Sequence, residues 1–137
     1  MELGYRSSVF AKNGDIVLSA QLKLQPGDPE KIRVYMEELK EKRVTKQPLE
    51  YPSAGSTFKR PEGYFAGKLI EDTGLRGFRV GGAQVSEKHC GFVINRENAT
   101  AADIVSLMEQ VADRVEAKFG VRWNRKLRRI GEFLRKI

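Results

Sequence analysis

The 137-residue sequence is 40% hydrophobic and 31% charged, which suits one globular domain with its own core. No apolar run approaches the roughly 20 residues needed to span a bilayer, and Met1-Glu2-Leu3-Gly4-Tyr5-Arg6 lacks the apolar centre of a signal peptide. The lone cysteine, Cys90, excludes an internal disulfide and points to a reducing cytoplasm. The net charge of +7 gathers at one end: Arg122, Arg125, Lys126, Arg128, Arg129, Arg135 and Lys136 face a single acid, Glu132, and the body is almost neutral.

In chain order, residues 15–24 alternate, with Ile16, Leu18, Ala20, Leu22 and Leu24 on one side, and predict a half-buried strand. Asp28-Pro29 marks a helix start, with Asp28 as N-cap and proline in the first turn. Ile32, Tyr35, Met36 and Leu39 then predict an amphipathic helix over 29–45. Residues 47–63, rich in proline and glycine, predict a loop. A short helix follows over 64–73, with Phe65 stacked on Leu69, Ala66 on Ile70, and Gly74 as its stop. Residues 78–85 and 91–95 predict strands. Thr100 caps a second long helix, with Asp103 completing a capping box; Ile104, Leu107, Met108, Val111 and Val115 form its inner stripe, and Gly120 ends it. The fold class is α+β: a small mixed sheet with two longer helices and one short helix. Trp123, Leu127, Ile130, Leu134 and Ile137 recur at spacings of four and three, so residues 123–137 predict a basic amphipathic helix that carries Lys126 away from any site in the body.

Chemistry gathers in Pro52-Ser53-Ala54-Gly55-Ser56-Thr57-Phe58-Lys59-Arg60-Pro61. Small residues admit a ligand close to the backbone, the serine hydroxyls can be presented without cover, and Lys59 and Arg60 offer charge for a phosphate or carboxylate. By itself this describes many loops, and it is not a P-loop. His89 has no cysteine or histidine partner at metal spacing, so no metal site is expected. Cys90 reads as a packed small hydrophobe. Glu71 either lies near a site or pairs with Lys68. Asn98-Ala99-Thr100 matches a glycosylation acceptor by chance.

With its surroundings the cluster becomes specific. Tyr5-Arg6-Ser7-Ser8-Val9-Phe10, Gln47-Pro48, the 52–61 run, Gly63-Tyr64-Phe65-Ala66-Gly67-Lys68-Leu69-Ile70-Glu71, Gly74-Leu75-Arg76-Gly77, Gly81-Gly82-Ala83-Gln84-Val85-Ser86-Glu87-Lys88-His89 and Phe92-Val93-Ile94-Asn95 together resemble the UDP-N-acetylenolpyruvoylglucosamine reductase (MurB) family of peptidoglycan synthesis. The likeness runs from about Leu3 to Gly131. It implies that residues 1–26 end the central flavin-domain strand region, and that 27–137 form the substrate-binding C-terminal domain with a basic tail at 122–137.

The family reduces UDP-N-acetylglucosamine enolpyruvate to UDP-N-acetylmuramate; NADPH reduces FAD, and the flavin reduces the substrate. The resemblance implies that Ser56 is the proton donor and Arg6 stabilises the enolate, with Tyr5, Gly55, Lys59, Arg60 and His89 on the substrate. Two departures stand out. The family's glycine-rich flavin loops have no counterpart in these 137 residues, so the resemblance implies that this chain alone binds neither FAD nor NADPH and is inactive in isolation, unless a separate flavin-binding N-terminal chain joins it. Lys126 stands where the family's last catalytic glutamate belongs, and Glu132 lies too far along a strand to replace it. Two other readings stay open: a non-catalytic UDP-sugar-binding module, and a basic-tail binder of nucleic acid or an anionic surface, of which the second is the less expected. Membrane attachment is not.

Overall fold

The computed structural model describes residues 2–4, 7–122 and 126–127. The chain divides into two compact units, Met1–Tyr35 and Met36–Ile137, and one long helix runs across the boundary.

The first unit holds one helical turn, α1 (Phe10–Asn13), and the start of α2 (Pro29–Lys46). The Asp28 carboxylate caps α2, accepting from the backbone N–H groups of Glu30 and Lys31 at 2.9 and 3.3 Å, as the sequence predicts. The strand expected over 15–24 is not formed: these residues are irregular and exposed, Leu18 to 93%. Alternation supplies an apolar face, but a strand also needs a neighbour to take its N–H and C=O groups, and among the described residues none pairs with this one. Helix α2 matches its expected limits, yet it has no buried residue. Along it Glu30–Arg33, Glu37–Lys40 and Glu38–Lys42 pair at helical spacing, each contributing only a few tenths of a kcal/mol.

The core lies in the second unit. Four strands, β1 (Ser53–Ser56), β2 (Arg79–Val80), β3 (Ala83–Val85) and β4 (Phe92–Asn95), form a sheet in the order β1-β4-β3-β2. The α+β class and the small sheet are as expected, but every pairing is antiparallel rather than mixed, because the connections between β2, β3 and β4 are too short to cross over. Two sequence expectations need correction. The run 78–85 is not one strand but a hairpin, reversed at Gly81-Gly82. Gly82 is required there by close approach: a Cβ on it would stand 1.9 Å from the Glu97 carbonyl oxygen. The 47–63 stretch is not all loop, since its serines, alanine and glycine form edge strand β1. Such residues have little strand preference of their own; β4 imposes the conformation.

Helices α3 (Ala66–Asp72) and α4 (Ala101–Phe119) complete the unit. The α4 stripe packs over β2, β3 and β4, burying Leu107, Met108, Val111 and Val115, with Ile104 at its margin. Each full burial stabilises by about 1.5–3 kcal/mol. At the N-terminus the Thr100 hydroxyl accepts from the Asp103 N–H at 3.1 Å, and the Asp103 carboxylate accepts from the Thr100 N–H at 2.9 Å, the predicted capping box. The α4 C-terminus is closed by the Gly120 N–H on the Glu116 carbonyl. Ala66, Leu69 and Ile70 of α3 join the same core. Phe65 sits at the N-cap rather than inside the helix, exposed, with the Arg60 guanidinium 3.9 Å above its ring, while Leu69 is buried. No described helix is long and apolar enough to cross a membrane.

Candidate active site at the edge strand

The Pro52–Pro61 cluster contains β1, the outermost strand of the sheet among the described residues. Ser53 pairs with Ile94 and Ser56 with Phe92, so β1 spends three steps where β4 spends two, and a bulge results. Gly55 sits inside it at φ +82°, a left-handed conformation that costs a side-chain-bearing residue about 1–2 kcal/mol. A bulge re-aims the next side chain, and here the next residue is Ser56.

Thr57 anchors the turn. It is 1% exposed. Its N–H donates to the Gly91 carbonyl at 2.9 Å, and its hydroxyl oxygen accepts from the Val93 N–H at 3.1 Å. Its carbonyl accepts from the Lys126 N–H at 2.9 Å. Phe58 follows into the core. Thr57 therefore locks β1 to β4 and brings in the chain near Lys126.

Lys126 is then delivered to Ser56. Its Nζ donates to the Ser56 Oγ at 3.1 Å. This corrects the expectation that Lys126 is carried away on a helix. Lys126 and Leu127, the described part of that predicted helix, are not helical, and Leu127 and Val121 pack on the core. The apolar seam read at helical spacing competes with the bond to Thr57 and with burial of Leu127, and at these two residues it loses. The rest of 123–137 lies outside the described residues, as do Tyr5 and Arg6.

The other predicted residues are placed differently. Arg60 turns along its own loop, Nε donating to the Tyr64 carbonyl at 3.1 Å with the guanidinium over Phe65. Lys59 is exposed. Among the described residues neither is hydrogen-bonded to Ser56. His89 is exposed, but its Nδ1 accepts from the Gly91 N–H at 3.0 Å, and its ring meets Phe92 edge-on at 5.1 Å. It thus braces the loop beside Ser56's partner residue. Glu71 does not pair with Lys68. It pairs with Arg76 at 2.6 Å, and Lys68 takes Asp72 one helical turn on. Cys90 is 3% exposed in the core; burial pushes its thiol up, and Glu71 adds to that while Arg76 opposes it. Sequence reading missed Thr57, whose only signal was a β-branched residue between a polar loop and a buried phenylalanine.

The arrangement is a serine hydroxyl, raised on a bulge at an exposed edge, with an ammonium behind it and two further cations, Lys59 and Arg60, a few residues on. The sequence profile of the UDP-N-acetylenolpyruvoylglucosamine reductase C-terminal domain matches residues 47–130, which include all of these. The chain belongs to this family. UDP-N-acetylenolpyruvoylglucosamine reductases of Agathobacter rectalis and Lachnoclostridium phytofermentans are 59% and 61% identical over 97% and 96% of it. The crystal structure of the Thermus caldophilus reductase (MurB) is similar at a TM-score of 0.60, with 35% identity over 75% of the chain. The chain spans 42% and 43% of the two sequence relatives and 36% of the crystallised one.

Proposed function

We propose that this chain is the substrate-side domain of a UDP-N-acetylenolpyruvoylglucosamine reductase, acting in the cytoplasm on UDP-N-acetylglucosamine enolpyruvate, with Ser56 as proton donor. The observation that carries the reading is the Gly55 bulge, which lifts Ser56 from an edge strand inside the region matched by the family profile. A hydroxyl is a weak acid in water, but an enolate carbon is a strong enough base to take its proton when the two are held together. Lys59 and Arg60, both exposed, supply cations for the diphosphate. Tyr5 and Arg6 are assigned to substrate and enolate by resemblance.

FAD and NADPH would supply hydride. Both carry diphosphates, which bind at helix N-termini or nests of backbone N–H groups. The N-terminus of α4 is closed by Asp103, and that of α2 by Asp28. The 340 Å³ cavity beside Tyr51 is lined by Glu50 and Glu87 as well as by Lys88 and Arg96, with Lys88 already paired to Glu50. These places do not fit a diphosphate, and hydride chemistry is assigned to a flavin-binding part, in the same or a separate chain.

Calorimetry with UDP-N-acetylglucosamine enolpyruvate tests the proposal. A charge-assisted contact is worth about 1.5–3 kcal/mol, so Arg60→Ala should weaken binding about tenfold or more, whereas Arg33→Ala, on exposed α2, should not. Equal affinity of wild type and Arg60→Ala would remove this loop from the substrate. FAD-dependent oxidation of NADPH by the chain alone would show instead that the flavin is held here.

A further inference from the structure

We propose that Ser56 and Lys126 form a proton-delivering pair, in which the Lys126 ammonium holds the Ser56 hydroxyl as an outward donor and then restores its proton. The proposal rests on Ser56 as proton donor and adds Lys126 as its positioning residue.

A serine hydroxyl has one proton to give and two lone pairs to accept with, whereas an ammonium can only donate. The 3.1 Å contact therefore runs from Lys126 Nζ to Ser56 Oγ. One lone pair is occupied, and the Ser56 proton has to point elsewhere. A carboxylate in the same place, the residue type that the resemblance implies, would do the reverse: it would accept from Ser56 and hold the proton inward. Lysine thus reverses the polarity of the pair. It also sets a positive charge beside the oxygen, which favours the alkoxide that remains once the proton has gone.

Both partners are fixed from behind. Ser56 is held by its pairing with Phe92, and Lys126 by its N–H on the Thr57 carbonyl at 2.9 Å, with Leu127 packed on the core. The fold thus holds the Lys126 ammonium at Ser56. In the step itself the Ser56 O–H bond breaks and a C–H bond forms at the enolate carbon. The alkoxide takes a proton from Lys126 Nζ, leaving a neutral amine. Lys126 is exposed, so the amine recovers its proton from water and the cycle closes.

The pair can be tested on the full 137-residue chain without cofactor or substrate. Phenylmethanesulfonyl fluoride reacts with an activated serine oxygen, which displaces fluoride and forms a sulfonate ester that peptide mass mapping locates. Ser53, exposed on the same strand, is the internal reference. Ser56 should label faster than Ser53, and its rate should rise with pH earlier than in Lys126→Gln. Lys126→Gln should label about tenfold more slowly at neutral pH, while Lys126→Arg keeps most of the rate. Melting temperatures of the variants show whether each is folded, and Lys126→Arg carries the comparison if Lys126→Gln is not. Labelling of Ser56 no faster than Ser53, or Lys126→Gln and Lys126→Arg both reacting unlike this pattern, would overturn the pair. Selective, Lys126-dependent labelling in a chain that does not bind the UDP-sugar would uphold the pair and sink the substrate reading alone.

Discussion

Thr57→Val probes the joint that builds the site. Valine keeps the shape of threonine and leaves the two backbone bonds of residue 57, to the Gly91 carbonyl and from the Lys126 N–H, in place. It removes the hydroxyl oxygen that accepts from the Val93 N–H at 3.1 Å. Residues 57 and 93 are only 1% and 5% exposed, so water does not replace that acceptor, and a buried donor left unmade costs about 1–3 kcal/mol. For a chain of this size about 2 kcal/mol corresponds to a fall in Tm of roughly 6–10 °C. Thr57→Ser is the control: it keeps the oxygen and loses one methyl, about 1 kcal/mol. Thermal unfolding should rank wild type above Thr57→Ser and Thr57→Ser above Thr57→Val. Amide exchange at Val93 should quicken only in the valine variant. A Thr57→Val protein as stable as Thr57→Ser, with Val93 still protected, would refute the claim that this hydroxyl ties β1 to β4.

Further outcomes follow from the same geometry. Gly82→Ala drives a Cβ into the Glu97 carbonyl, and because backbone cannot move aside like a side chain, it should cost about 3 kcal/mol or more in urea unfolding; an unchanged midpoint would mean that the hairpin turn is loosely held. The Asp103 carboxyl is held below its ordinary value of 3.8, first by the Thr100 backbone N–H and then by the Thr100 hydroxyl. Its folded value is the lower one, so its contribution is present above 3.8 and is lost as pH falls through the folded value. The stability gap between wild type and Asp103→Asn should accordingly shrink below about pH 4, and a gap constant from pH 6 to 2.5 would contradict the capping box. Burial raises the Cys90 thiol, so in the native protein it should react with a disulfide reagent at pH 8 far more slowly than in guanidinium; equal rates would place it at the surface.

Several features were legible in the sequence because their causes are local. The α4 stripe and its Thr100–Asp103 box, the Asp28 cap of α2 and the glycine stops depend on residues within a turn or two of each other. Short motifs in order carry the resemblance, and it implies roles for Ser56 and Gly55. Other features were not legible, because they depend on what lies across the sheet. Residues 15–24 alternate like a strand but find no pairing neighbour among the described residues, while Ser53–Ser56 lack strand character yet become one under β4. Thr57 gained its importance only when Gly91, Val93 and Lys126 met around it. Lys126 shows the difference most clearly. Its sequence neighbours suggested a helix leading away from the site, but a backbone bond to Thr57 and the burial of Leu127 bring its ammonium to Ser56. Local spacing can describe the faces of a segment; the partner that captures it sets the conformation, because hydrogen bonds and apolar contacts across 70 residues of chain are decided only when the sheet closes.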